Sequence, residues 1–209
     1  MMTCMRASLL FAFLLGPIAC SSSGDGGPAS ANDTGTSTID TGAIEDAPAT
    51  YGVGDVLPDL ELRGYVRNES TGLATSVASR SFKMSEALAA GTQRYVFIYD
   101  AAWWCSPCKQ ATQLVIGKLA ANAAKAQFVE IVVEGATPTT PATAADLDSW
   151  VTALSVPFTS AIDADPATFT TKKTYGIKET TYIVERSTMK IVAKEATAAA
   201  ALTTLDSLP

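Results

Sequence analysis

Two cysteines separated by two residues, Cys105 and Cys108, are the residues of this sequence best placed to do chemistry. Their sulfurs can form a disulfide bond of about 2.05 Å across one helical turn. A disulfide that closes so short a loop contributes little stability, so a structural staple is not expected. The pair is therefore predicted to be either redox-active or half of a metal site.

The neighbouring sequence places this pair at the start of a helix. The β-prone run Tyr95–Tyr99 precedes it, a helical pattern begins at Ser106, and Pro107 suits the first helical turn. Unpaired backbone N–H groups and the positive end of the helix dipole stabilise a thiolate at that position. We therefore expect Cys105 to be exposed and nucleophilic, and Cys108 to be shielded and to act as the resolving cysteine.

Composition excludes several other kinds of chemistry. The 209 residues contain no histidine, which rules out nucleophile pairs that need histidine and metal centres ligated by it. The formal charge of −6 comes from 15 basic and 21 acidic residues without a basic block, so nucleic acid is not an expected partner. We predict no cofactor and assign no residue to a metal site. Five carboxylates form no pair suited to acid–base catalysis: Glu130, Glu134, Asp146, Asp148 and Asp163.

The N-terminus has the pattern of an export signal. Arg6 precedes about twelve apolar residues, 7–18, and the small Ala19 follows them. An apolar run of this length is shorter than the roughly 20 residues that span a bilayer. We therefore predict a secretory signal peptide, and Cys4 would be removed when it is cleaved.

The end of that run resembles the lipobox of bacterial lipoproteins. Pro17-Ile18-Ala19-Cys20 fits the pattern except at Pro17, where leucine is usual. The resemblance implies that residues 1–19 are removed and that Cys20 carries lipid, which anchors the chain to a membrane. The same resemblance implies that Ser21, directly after the cysteine, favours the outer membrane over the inner one.

Residues 20–50 are predicted to be a flexible tether. They are rich in serine, glycine, threonine, alanine, aspartate and proline, and Ile39 and Ile44 are the large apolar residues among them. We therefore expect a lipoprotein signal peptide at 1–19, a lipid-anchored tether, and one folded domain at 51–209. The domain would lie in the periplasm or at the surface of a bacterial cell envelope.

The folded part alternates strands and helices. Strands are expected at 60–66, 95–99, 128–133, 181–185 and 189–193, and helices at 84–90, 106–126, 142–154, 165–175 and 196–208. Strand–helix–strand units that finish in a hairpin and a helix predict one α/β domain, with a central mixed β-sheet flanked by helices.

The cysteine motif resembles the active site of the thioredoxin superfamily. Trp104-Cys105-Ser106-Pro107-Cys108-Lys109 fits that family's Trp-Cys-x-Pro-Cys pattern. The segment 54–62 is similar to the opening of TlpA/ResA-like and redoxin-type proteins, and Val156-Pro157-Phe158 and Tyr175-Gly176-Ile177 fit the same families. The resemblance covers residues 51–209. It implies a thioredoxin-like fold, catalysis by the two cysteines, and support of the site by neighbouring residues: Trp104, Ser106, Pro107 and Lys109.

Three positions depart from the family pattern. Thr181, preceded by Thr180, stands where the family has a cis-proline, and a trans bond is expected because a non-proline cis bond costs about 3 kcal/mol. Tyr99 stands where thioredoxins carry a buried acid, and Ala111 where ResA-like proteins carry a glutamate. Asp100 would point to the other face of its strand, and could substitute for the acid only if the strand ends early.

These features predict an exported, membrane-tethered thiol–disulfide oxidoreductase that reduces protein disulfides. Its electrons would come from an upstream membrane dithiol donor, and its membrane contact would be the lipid on Cys20. Because no histidine stabilises the thiolate, we expect a potential nearer thioredoxin's, about −270 mV, than that of strong oxidants, about −120 mV.

Two alternatives remain open. The first is a thioredoxin-fold binding module that holds a soft metal, an iron–sulfur centre or a partner through the two cysteines. The second is a peroxiredoxin-like peroxidase, although Ala102 stands where peroxiredoxins carry a threonine.

Overall fold

The computed structural model describes residues 51–67, 78–89, 91–166, 170–171 and 180–209. The predicted signal peptide, Cys20 and the tether lie outside the described residues, and so does most of the helix predicted at 165–175. No helix of the described part is long and apolar enough to cross a membrane.

Among the described residues, seven strands form one mixed sheet. In chain order they are β1 Glu61–Tyr65, β2 Arg80–Lys83, β3 Tyr95–Ala102, β4 Ala126–Glu134, β5 Thr159–Asp163, β6 Thr181–Glu185 and β7 Lys190–Glu195. Their order across the sheet is β2-β1-β5-β4-β3-β6-β7. Strands β3, β4 and β5 run parallel, and the remaining pairings are antiparallel.

Four helices pack on this sheet in the described part. They are α1 Met84–Ala89, α2 Ser106–Asn122, α3 Ala144–Leu154 and α4 Ala198–Ser207. The units β3–α2–β4 and β4–α3–β5 step in the same direction across the sheet, and right-handed crossovers place both helices on one face. Capping residues fix where helices begin, since Thr143 and Thr197 accept backbone N–H groups at the starts of α3 and α4.

The two faces of β3 have different partners. Every residue of β3 and β4 is buried, as expected of strands covered on both sides. Tyr95, Phe97 and Tyr99 pack with α2, α3 and α4, and we call this side the cysteine face. Val96 and Ile98 pack with α1 on what we call the opposite face.

The predicted architecture is confirmed, with differences in detail. Strands β2 and β5 were not predicted, because one has a single buried apolar residue, Phe82, and the other begins with the polar Thr159 and Ser160. The helix expected at 106–126 ends at Asn122, because Ala126 already pairs with β3 as the first residue of β4.

Candidate active site

Cys105 and Cys108 form a disulfide at the beginning of α2. Their Cα atoms are 5.2 Å apart and their sulfurs 2.08 Å apart. Cys105 is the N-cap residue of α2, and its sulfur accepts the backbone N–H of Cys108 at 3.1 Å. The backbone N–H of Cys105 donates to the carbonyl of Ala102 at 3.0 Å, which fixes the turn between β3 and α2.

The expectation that Cys105 is exposed is wrong for the disulfide form. Cys105 is 4% exposed and Cys108 is 0% exposed, since both sulfurs pack with the core of the cysteine face. Trp103 and Trp104 pack against the same core and cover its edge. Cys105 is nevertheless the more accessible of the two, and the residues between the cysteines, Ser106 and Pro107, are exposed.

Trp104 is held by a buried carboxylate at the end of β4. Its indole Nε1 donates to Oε2 of Glu134 at 2.7 Å, and the backbone N–H of Thr139 donates to Oε1 at 3.1 Å. The backbone N–H of Trp103 also donates to the carbonyl of Glu134 at 2.9 Å. Glu134 therefore fixes both tryptophans beside the disulfide, a role that its sequence position did not indicate.

Lys109 lies at the rim of the site. Its Nζ is 4.6 Å from the centre of the Trp103 ring, a cation–π geometry. The Trp103 ring packs edge-on against Trp150, with centroids 5.7 Å apart. Trp103 thus connects a partly exposed cation to the buried core.

Thr181 occupies the first position of β6, opposite Tyr99 of β3. It is buried, and its alternation with Ile183 places it on the cysteine face. The described residues contain no cis peptide bond, so the Thr180–Thr181 bond is trans. The carbonyl of Thr180 accepts the backbone N–H of Asp100 at 3.1 Å, which anchors this segment to β3.

Asp100 is not brought to the cysteines. Strand β3 continues to Ala102, so the early end that would allow Asp100 to replace the missing acid does not occur. Its side chain lies on the opposite face, fully buried, and neither oxygen has a hydrogen-bond partner. Burial raises the pKa of Asp100 well above its ordinary value, and the nearby charge of Lys194 lowers it in part.

A different carboxyl, Glu130 of β4, lies on the cysteine face. It is fully buried and directly opposite Tyr99 in the strand register. Oε1 of Glu130 is 2.5 Å from the hydroxyl of Tyr99 and 2.6 Å from Oγ1 of Thr112. Thr112 in turn is 3.1 Å from the carbonyl of Cys108, one helical turn earlier. A polar cluster of three residues therefore lies behind the resolving cysteine.

The sequence contained an indication of this cluster. Glu130 interrupts the apolar run 128–133, and a carboxylate in such a strand needs partners because burying one without them is costly. Which partners it finds depends on the pairing of β3 with β4 and on the packing of α2, which the local pattern does not specify. The prediction that Glu130 belongs to no pair of carboxylates therefore did not include these contacts.

Burial raises the pKa of the Glu130 carboxyl above its ordinary value. Hydrogen bonds from Thr112 and Tyr99 lower that pKa in part, because they favour the charged form. The indole N–H of Trp150 also faces Glu130 and acts in the same direction, although neither it nor Oε2 of Glu130 completes a hydrogen bond. Burial likewise raises the pKa of Tyr99 well above its ordinary value, and the negative charge of Glu130 adds to that shift.

The described residues contain no group of three or more side chains suited to hold a metal ion. The chemistry that this arrangement can carry out is thiol–disulfide exchange, since a disulfide lies at a helix N-terminus and Cys105 is the more accessible of its two residues.

Solved structures with the same fold include several thiol–disulfide proteins. The thioredoxin domain of a thiol-disulfide oxidoreductase from Bacteroides vulgatus is 14% identical, with a TM-score of 0.53 over 75% of this chain and 97% of that one. A protein named as thiol:disulfide interchange protein DsbE from Chlorobium tepidum is 23% identical, with a TM-score of 0.52 over 74% of this chain and 95% of that one.

A third structure with this fold is AhpC of Mycobacterium tuberculosis, 13% identical, with a TM-score of 0.53 over 76% of this chain and 93% of that one. No protein-family model matches the sequence, and no curated protein does. At these identities the likeness establishes the fold, and the predicted thioredoxin-like fold is confirmed.

Proposed function

We propose that this protein is an exported, membrane-tethered thiol–disulfide oxidoreductase that reduces protein disulfides. The observation that carries the proposal is the Cys105–Cys108 disulfide at the N-terminus of α2, with Cys105 as N-cap. Proteins named as thiol–disulfide oxidoreductases share the fold around it, which supports this reaction over a purely structural disulfide.

In the reduced protein, Cys105 is the nucleophile. The N–H groups of the first turn of α2 favour its thiolate, because they and the helix dipole stabilise negative charge there. The thiolate attacks one sulfur of a substrate disulfide, forms a mixed disulfide, and releases the other substrate sulfur as a thiolate. Trp104, fixed by Glu134, forms part of the wall beside the attacking sulfur.

Cys108 then completes the exchange. Its sulfur loses a proton and attacks the sulfur of Cys105, so that the internal disulfide forms and the second substrate sulfur leaves as a thiolate. Two electrons have passed from the protein to the substrate. A dithiol donor in the membrane must return them, by the reverse of the same two steps, before another cycle begins.

The cell-envelope location is the second half of the proposal. The N-terminal pattern at 1–19 and the lipobox-like segment at Cys20 support export and lipid attachment, and the composition of residues 20–50 supports a tether. We expect the wild type to incorporate labelled fatty acid and to sediment with membranes. A Cys20→Ala variant is expected to lose both properties, and unchanged labelling of that variant would overturn lipid attachment at Cys20.

The reaction is tested by redox titration of the purified protein, with Cys105 and Cys108 quantified by alkylation and mass. We expect one reversible two-electron transition at a low potential and reduction of insulin disulfides when a dithiol is supplied. Cys105→Ser is expected to abolish turnover, whereas Cys108→Ser is expected to accumulate a mixed disulfide with the substrate. Full activity of the Cys105→Ser protein would contradict the proposal.

The same samples test the two alternatives. A binding module would purify with stoichiometric metal that is lost when both thiols are alkylated. A peroxidase would oxidise the reduced pair with hydrogen peroxide at a rate far above that of free cysteine, and would leave insulin disulfides intact.

A further inference from the structure

We propose that the buried carboxyl of Glu130 binds a proton more tightly when the Cys105–Cys108 disulfide is reduced. At a pH where Glu130 is ionised beside the disulfide, it therefore takes up one of the two protons that accompany reduction. The inference rests on the proposed function, because it requires the pair to cycle. Glu130 does not touch either sulfur in the contacts described, and acts through Thr112 as a positioning residue.

The position of Glu130 links it to the resolving cysteine. Thr112 and Cys108 are four residues apart on α2, so both lie on the buried side of the helix that faces β3 and β4. Oγ1 of Thr112 contacts the carbonyl of Cys108 and Oε1 of Glu130 at 3.1 and 2.6 Å. A change in the charge of Glu130 is therefore transmitted to Cys108 through one hydroxyl.

The contacts of this cluster can accommodate a proton on Glu130. Four short contacts join the hydroxyls of Tyr99 and Thr112, Oε1 of Glu130 and the carbonyl of Cys108, but the two hydroxyls supply only two hydrogens. A proton on Glu130 supplies a third. Glu130 can then donate to Thr112, which is free to donate to the carbonyl of Cys108, while Tyr99 donates to Glu130.

The surroundings of Glu130 provide little else to balance a negative charge. The side chains facing it from the packed elements are Tyr99 on β3, Ser160 on β5, Thr112 and Cys108 on α2, and Trp150 on α3. Glu134, the next charged group on this side of β4, is engaged by Trp104. Oε2 of Glu130 is buried without a hydrogen-bond partner, which makes the ionised form costly.

The proton balance follows from these contacts. Reduction adds two electrons and breaks the S–S bond; one proton goes to the sulfur of Cys108, and Cys105 remains a thiolate at the helix N-terminus. That thiolate and an ionised Glu130 would repel each other in a medium of low dielectric. At a pH where Glu130 is ionised beside the disulfide, the second proton therefore goes to Glu130, and the dithiol donor supplies both electrons and both protons as it becomes a disulfide.

The test compares wild type and Glu130→Gln in equilibrium with dithiothreitol from pH 5 to 9. In the wild type, an ionised Glu130 disfavours the reduced pair, whereas glutamine is neutral at every pH. We expect the ratio of the two reduction equilibrium constants to be constant at acidic pH. It should rise by about tenfold in favour of the variant as the pH passes the Glu130 pKa, which corresponds to about 30 mV.

Asp100→Asn is the matched control, because it removes the other fully buried carboxyl of the paired strands β3 and β4 but on the opposite face. The ratio of its reduction equilibrium constant to that of the wild type is expected to be independent of pH. A packing effect of Glu130→Gln would offset the equilibrium equally at every pH, so a flat ratio for that variant overturns the inference. A wild-type pair that never cycles overturns the proposed function as well, which separates the two failures.

A second measurement needs no glutamine variant. The infrared difference spectrum of the wild type, reduced minus oxidised, is expected to gain a protonated carboxyl band that shifts in D₂O. The band should change frequency in Glu130→Asp and remain unchanged in Asp100→Asn. Absence of any protonated carboxyl band between pH 6 and 8 would overturn the inference.

Discussion

Each face of the sheet buries a carboxyl, but the two carboxyls differ in their hydrogen-bond partners. Glu130 on the cysteine face has two hydroxyl groups within 2.6 Å. Asp100 on the opposite face has no hydrogen-bond partner for either oxygen. The two residues lie on neighbouring strands, one register position apart, since Tyr99 pairs with Glu130 and Asp100 pairs with Ile131. Strand alternation, rather than distance along the chain, decides which carboxyl lies behind the disulfide.

This difference shows that the carboxyl behind the cysteine pair can come from a strand other than the one that precedes the pair in sequence. The position of the acid expected six residues before Cys105 is occupied by Tyr99, whose hydroxyl contacts Glu130. A carboxyl therefore reaches the space behind the pair through β4 instead of β3. Asp100 is closer to the cysteines in sequence, yet β3 directs it away from them.

The largest effect is expected for the core that supports the cysteine face. Trp150 is fully buried and packs against Trp103. Trp150→Ala should lower the free energy of unfolding by about 3–5 kcal/mol, measured by chemical denaturation. It should also slow insulin reduction, because Trp103 loses its support.

Met84→Ala on α1 provides the comparison. Met84 is fully buried on the opposite face, and its loss should cost about 2–4 kcal/mol. Its insulin-reduction rate under conditions where both variants are folded should equal that of the wild type. Equal slowing by the two substitutions would show that the faces do not differ in their support of the site.

Much of the cysteine face could be predicted from local pattern. The strand before Cys105, the helix after it and the proline at its first turn are encoded within 95–122. β5 could not be predicted in this way, because Thr159 and Ser160 are buried by pairing with strands far apart in sequence. The burial of Cys105 also depends on long-range packing, since Trp104 is fixed by Glu134 thirty residues later.

The second prediction concerns stability on the opposite face. Burial raises the folded-state pKa of Asp100 above its unfolded value, so the folded protein binds that proton more tightly. The stability contributed by the protonated form is present at low pH and is lost as the pH rises through the folded-state pKa. Asp100→Asn should remove this dependence and be more stable than the wild type at pH 8, by about 1–3 kcal/mol.

Thermal and denaturant unfolding at pH 4, 6 and 8 measures that effect. Glu130→Gln should show no comparable gain, because Glu130 already has Tyr99 and Thr112 as partners. A lower stability of Asp100→Asn than of the wild type at pH 8 would mean that Asp100 is stabilised in its charged form.

The third prediction weakens the cysteine-face cluster without removing its carboxyl. Thr112→Val keeps the shape of the side chain but removes the hydroxyl between Cys108 and Glu130. We expect a loss of about 1–2 kcal/mol in the free energy of unfolding. Because the Thr112 hydrogen bond lowers the Glu130 pKa, the variant should raise that pKa and shift the pH dependence of the reduction equilibrium to higher pH.

The exposed Thr152 of α3 offers a control for this change. Thr152→Val should leave the pH dependence of the reduction equilibrium where it is in the wild type. If the pH dependence of the reduction equilibrium is also unchanged in Thr112→Val, the hydroxyl does not connect Glu130 with the redox pair.

The smallest effect is expected at the rim, where each face has a lysine beside an aromatic ring. Nζ of Lys109 lies 4.6 Å from the Trp103 ring, and Nζ of Lys194 lies 5.4 Å from the Tyr182 ring. Lys109→Met should lower the free energy of unfolding by about 0.5–1 kcal/mol, because it removes a partly exposed cation–π contact.

Lys194→Met should in addition raise the pKa of Asp100, since Lys194 lowers it in the wild type. The free energy of unfolding of the Lys194→Met protein should therefore fall with rising pH over a wider pH range than that of the Lys109→Met protein. Parallel pH profiles of the two variants would contradict the assignment of Lys194 to the opposite-face carboxyl.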